Sequence, residues 1–152
     1  MTFTTESVDW ERSQNRLKAL REKVFVLEWR LPPETEFDEH DPKAYHVLVY
    51  DPDKEPIATA RLTPQGEIGR VAVKRQHRHL GVYKVLFKAL IQLAKTKQLK
   101  IVKVNLSLDS VPYHTKLGFE PVGQVFMDAG IPRQRMGCST ERFSLPDVSK
   151  MH

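Results

Sequence analysis

The chain has 152 residues, 40% hydrophobic and 28% charged, which is enough for one soluble domain with a packed core and too little for two. Apolar runs of only a few residues exclude a membrane-spanning helix. The start carries Glu6, Asp9 and Glu11 where a secretion signal would have its apolar core, so a cytoplasmic location is expected. A single cysteine, Cys138, excludes an internal disulfide, and the net charge of +5 asks what the basic residues are for.

Apolar positions at Leu17, Leu20, Val24 and Leu27 predict a helix over 11–29, stopped by Leu31-Pro32-Pro33. An acidic loop, Glu34 to Asp41, follows. Tyr45–Tyr50, Ile57–Thr63 and a run ending near Val73 read as three strands. The tight turns between them, Asp51–Pro56 and Pro64-Gln65-Gly66, make an antiparallel meander. Val82, Val85, Leu86, Leu90 and Leu93 place a second helix over 80–97. Ile101–Leu108 reads as a strand, parallel to the third through a right-handed crossover. A short helix over 110–117 is closed by Gly118, and 119–127 with 135–145 form a last pair of strands. The order α-βββ-α-β-α-ββ predicts a single α/β domain over 1–145, with a mixed, mostly antiparallel sheet flanked by helices and a polar tail over 146–152.

The most informative stretch is Glu67 to Tyr83, where a β-branched run (Ile68, Val71, Val73) passes through a basic turn into the helix that opens at Leu80-Gly81. The first amides of a helix lack internal acceptors and carry partial positive charge, so this junction is an anion cradle to which Arg78 adds a charged donor. The basic residues Lys74, Arg75, Arg78, Lys84 and Lys88 crowd the same place, which suits one nucleotide cofactor. Nucleic acid is set aside, because no helix-turn-helix and no basic–aromatic interleaving is present. The acidic loop with His40 is not expected to hold a metal and reads instead as an electronegative mouth for a cationic amine.

The spacing Arg78-x-x-Gly81 resembles the acyl-CoA pyrophosphate loop of the GCN5-related N-acetyltransferases (GNAT). Lys23–Glu28, the acidic loop with Tyr45–Leu48, Ala58–Leu62 with Gly69–Val73, Lys116–Phe119 and Asp128–Pro132 are similar to successive pieces of the branch of that superfamily typified by ElaA. The resemblance covers nearly the whole chain and implies transfer of an acetyl group from acetyl-CoA to a primary amine, on a small molecule or a peptide, by direct attack in a ternary complex. It implies a grip on the cofactor by Arg78, His79, Leu80, Gly81, Val82 and Tyr83, a polarising backbone N–H in the run Val71-Ala72-Val73, and a contact from Asn105 to the pantetheine arm.

Three positions depart from the family pattern. Tyr83 stands where glycine or alanine belongs, and either crowds the phosphates or turns aside. His114, beside Tyr113, occupies the place of the tyrosine that protonates the leaving thiolate. Arg133 replaces the usual histidine after Gly130-Ile131-Pro132. His114 or Tyr113 is therefore the expected acid, and Glu28 and His46 are the candidate bases for the amine. A non-catalytic acyl-CoA-binding module is the alternative that Tyr83 and His114 favour. An exposed last strand would allow a homodimer.

Overall fold

The computed structural model describes residues 3–24, 40–78, 80–128, 130–141 and 143. Strand β1 (Thr4–Val8) leads into helix α1 (Trp10–Arg21), which Asp9 caps by accepting the Arg12 N–H at 2.7 Å. A short 3-10 turn, Asp41–Lys43, precedes the meander β2 (Tyr45–Tyr50), β3 (Pro56–Leu62) and β4 (Glu67–Val73). Helix α2 (Leu80–Thr96), strand β5 (Ile101–Ser107), helix α3 (Val111–Lys116) and strands β6 (Glu120–Pro121), β7 (Phe126–Asp128) and β8 (Ile131–Ser139) complete the chain.

The sheet order is β1-β2-β3-β4-β5-β8-β6, with β7 also paired to β8. The β4–β5 pairing is parallel and the other pairings are antiparallel, so the mixed, mostly antiparallel α/β architecture expected from the sequence is present. From α1 onward the elements follow the expected order, with two additions. β1 pairs with β2 at the sheet edge, and the strand before β8 is divided into β6 and β7. The part of the predicted first helix beyond Val24 lies outside the described residues.

Alternation along the strands divides the side chains between two faces. Val47, Val49, Ile57, Leu62, Val102 and Met136 meet Val82, Leu86 and Leu90 of α2 in the main core. On the other face Leu48 packs against Leu17 and Leu20 of α1. The α3 end is a Schellman cap. Gly118, at φ +103°, donates to the Thr115 carbonyl at 3.1 Å, and Phe119 donates to that of His114 at 3.1 Å.

The α1 face also holds a buried ionic group. Arg21 Nη1 donates to Asp41 Oδ1 at 2.8 Å and Arg61 Nη1 to the same oxygen at 3.1 Å, with the three side chains 1%, 9% and 0% exposed for Arg21, Arg61 and Asp41. Asp41 therefore does not belong to an electronegative mouth. It is the anion that allows two guanidinium groups to sit inside, and it ties the loop before β2 to α1 and β3. The remainder of the acidic loop, 34–39, lies outside the described residues.

Removing one partner of a buried pair leaves the other charge uncompensated, at a cost of about 3–5 kcal/mol. Asp41→Asn is therefore expected to lower the urea unfolding free energy by roughly that amount. Glu6→Gln, which breaks the exposed contact to Arg16 at 3.4 Å, should change it by less than about 0.5 kcal/mol.

Candidate active site

The site begins with one extra residue. Thr59 pairs with Ala72 and Arg61 with Gly69, so Ala60 of β3 faces both Arg70 and Val71 of β4. Arg70 takes the left-handed conformation, φ +49°, that such a bulge requires. The insertion reverses the parity of the strand, and Ile68, Val71 and Val73 all pack on the same core. It also bends β4 away from β5. The parallel ladder consists of Glu67↔Lys103 and Ile68↔Val104, and beyond them Gly69–Val73 and Asn105–Ser107 run apart. The closed end is pinned. Gly66 accepts the Lys103 N–H at 2.8 Å, and its φ of +89° lets it lie where a Cβ would come within 2.6 Å of the Ile101 carbonyl oxygen.

The result is a slot between two parallel strands, with the Val73 backbone turned toward it from the β4 wall. Lys74 donates to the Ile57 carbonyl at 2.9 Å, so by the alternation of an antiparallel ladder Val73 turns its own N–H and C=O away from β3, toward the slot. There its carbonyl accepts the Arg78 Nε–H at 2.9 Å. Ala72, opposite Thr59, belongs to the ladder instead. The short turn Arg75–His77 then brings the start of α2 to the mouth of the slot, with the first-turn amides of Leu80, Gly81, Val82 and Tyr83 at its edge. His79 lies outside the described residues.

The Tyr83 ring stacks on Phe87, centroids 6.3 Å apart and planes 18° apart. Burial pushes its phenol pKa up, and the Arg78 charge opposes this in part. From α3, Tyr113 is half-buried, and its phenol is raised by burial and by the proximity of Tyr83. Both hydroxyls are therefore protonated at neutral pH.

His114 is 4% exposed and enclosed by Phe87, Tyr113 and Phe119, with ring centroids 5.3, 5.4 and 5.6 Å away. Its Nδ1–H donates to the Ser110 carbonyl at 2.9 Å, which assigns the tautomer and leaves Nε2 an acceptor, buried and without a partner. Burial lowers its pKa, so the ring is neutral. His46, 1% exposed, lies on the α1 face. Its Nε2–H donates to the Asp41 carbonyl at 2.9 Å and its ring packs on Trp10 at 5.4 Å. Burial lowers its pKa as well. His46 and His114 are thus on opposite faces of the sheet, and Glu28 lies outside the described residues.

Asn105 is exposed on the far wall of the slot, its Oδ1 accepting from Arg135 Nη1 at 3.3 Å, and Arg135 Nη2 reaches across β5 to Glu67. Arg135 gives no signal in the sequence beyond its place on the exposed face of a strand. No three His, Cys, Asp or Glu side chains among the described residues converge as a metal site would require. No helix among them is long and apolar enough to cross a membrane. A groove of about 820 Å³ between β1 and α2, lined by Phe3, Thr5, Ser7, Ala89 and Leu93, contains none of the candidate residues.

Comparison with known proteins agrees with the fold. The family model for an acetyltransferase (GNAT) domain matches residues 3–140. YjcF of Bacillus subtilis, named as an uncharacterized N-acetyltransferase, is 34% identical over 121 residues, which is 77% of this chain and 86% of that protein. Among solved structures, an acyl-CoA N-acyltransferase from Pseudomonas aeruginosa superposes with a TM-score of 0.81 at 24% identity, covering 91% of this chain and 100% of its own. Escherichia coli ElaA gives 0.79 at 22%, with the same coverage. At these identities the two structures speak for the fold.

Both histidines are harder to protonate folded than unfolded, so the unfolded chain binds more protons below pH about 6.5. Their contribution to stability is complete above that pH and is lost as pH falls toward the depressed folded values. Urea titrations between pH 7.5 and 5 should show the native protein losing stability, with a shallower slope in His114→Gln.

Proposed function

The chain belongs to the GNAT acetyltransferase family, and on that footing we propose that it transfers an acetyl group from acetyl-CoA to a primary amine by direct attack within a ternary complex. The observation that carries the proposal is the parting of β4 and β5 beside the start of α2. An extended pantetheine arm fits between the strands. The Val73 backbone supplies a ladder-like partner on one side, and Asn105 supplies an amide on the other. The first-turn amides of α2, with Arg78 and His79, receive the diphosphate. A free N–H beside the bulge, at Val71 or Val73, is then placed to stabilise the oxyanion that develops on the thioester carbonyl.

The balance of the reaction is one proton, which must leave the amine and reach the thiolate. Tyr113 is the better proton source of the two α3 candidates. Its hydroxyl keeps its proton at neutral pH, whereas the His114 ring is neutral and has its one N–H committed to Ser110. His46 has its Nε2 proton committed to the Asp41 carbonyl inside the α1 face, so we assign it to holding the Asp41 loop. Deprotonation of the amine falls to Glu28 or to water. The stacking of Tyr83 on Phe87 supports a placement of its ring beside the phosphate edge and not across it, and with it turnover over a module that only binds.

Thermal-shift titration with acetyl-CoA and CoA tests the grip. A saturating rise of about 5–10 °C is expected at a hundredfold excess over Kd, lost in Gly81→Glu, which puts a carboxylate at the phosphate edge. Thiol release with a panel of amines tests the chemistry, and Tyr113→Phe should lower kcat about a hundredfold. No shift at millimolar ligand would overturn the reading. A shift with no turnover on any amine would leave a non-catalytic acyl-CoA-binding module.

A further inference from the structure

The exposed sheet face beside the slot carries two arginines of β8 in different states. Arg135 is engaged on both arms of its guanidinium, one on Asn105 and the other on Glu67. Arg133, two residues closer to the open end of the slot, is on the same face and pairs with Ser107, the last residue of β5. Its Nε lies 3.2 Å from Asp128 Oδ2, but the contact is by charge alone. Nε is buried without an aligned hydrogen bond, and no hydrogen bond from the guanidinium to any described residue is present. The Arg133 side chain is 29% exposed and its Asp128 partner 61%, so the planar group is held from behind and remains reachable.

We propose that Arg133 binds a carboxylate on the acceptor, and that the acceptor class is therefore a small amine that carries a carboxylate, such as an amino acid. This rests on the acyltransferase reading above. A guanidinium presents its donors in a rigid plane that matches a carboxylate with two parallel bonds, and here the N–H groups of the two terminal nitrogens make no hydrogen bond to a described residue. Asp128 holds the group by charge from the Nε side, which meets part of the ordering cost before a ligand arrives. The diphosphate does not compete for this group. Its cradle is the start of α2, which follows β4 and packs on the opposite face of the sheet, whereas Arg133 is on β8, across β5. The two faces thus divide the substrates, cofactor from the α2 side and acceptor from the Arg133 side, with the slot between them.

The test compares an α-amino acid with its carboxamide, matched in size and differing in charge, at saturating acetyl-CoA. The native protein should favour the amino acid by about 10- to 100-fold in kcat/KM, the range expected for hydrogen bonds to a charged group. In Arg133→Ala that ratio should collapse toward one, and Arg133→Lys, which keeps the charge without the fork, should recover only part of it. A native ratio near one, a preference for diamines or for a peptide lysine, or a ratio untouched by Arg133→Ala would each overturn the proposal. If acetyl-CoA raises Tm but no amine is acylated, the catalytic reading fails, and the carboxylate site is then read by binding. The amino acid should add a further thermal shift to the CoA-loaded native protein and none to Arg133→Ala, and no added shift in the native protein would overturn it.

Discussion

The bulge at Arg70 is the constraint on which the site depends. Two neighbouring parallel strands ordinarily zip along their whole length, and a slot between them exists only if something forces them apart. One inserted residue does this by turning the backbone of β4 toward the space it opens. A non-glycine residue in the left-handed region carries a strain of about 1–3 kcal/mol, which persists only where the surroundings determine it. They do so here. Gly66 fixes the lower end of the wedge against Ile101, and the core holds Ile68, Val71 and Val73 on one face across the change of parity.

The two faces of the sheet are stabilised by different physics. On the α2 face, apolar and aromatic side chains are packed edge to face, and His114 is enclosed as one more ring in that series, with Phe87 and Phe119 as neighbours. On the α1 face, Asp41 compensates two buried guanidinium groups beside a neutral histidine. A core of charges specifies which groups meet more strictly than a core of methyl groups does. That suits the face where the loop before β2 must be fastened close to the bulge.

The sequence carried the order of elements well, because periodicity reports burial and most strands here are buried on at least one face. It did not carry β1. Thr4–Val8 lies on the sheet edge with four exposed residues, so it has no apolar alternation to read. The bulge was hidden for another reason. Gly69-Arg70-Val71 looks like an uninterrupted strand, and a change of parity is visible only when the cross-strand partners are known. Asp41 was concealed by its company, one carboxylate among several in an acidic run, distinguished only by the arginines that the fold brings to it from twenty residues away on either side. The basic turn and the helix start at Leu80 were legible, since both are local features.

In the site proposed above, the contacts to the phosphates come from backbone amides on the first turn of α2, so what Tyr83 must leave free is the space in front of them. A helical side chain at position 83 has a neighbour of its own kind one turn on, at position 87, and the two rings stack. Tyr83 and Tyr113 both pack against the main core, and the proximity of Tyr83 helps to raise the Tyr113 phenol. The residue at the helix start and the hydroxyl assigned as the proton source thus share one aromatic margin of that core.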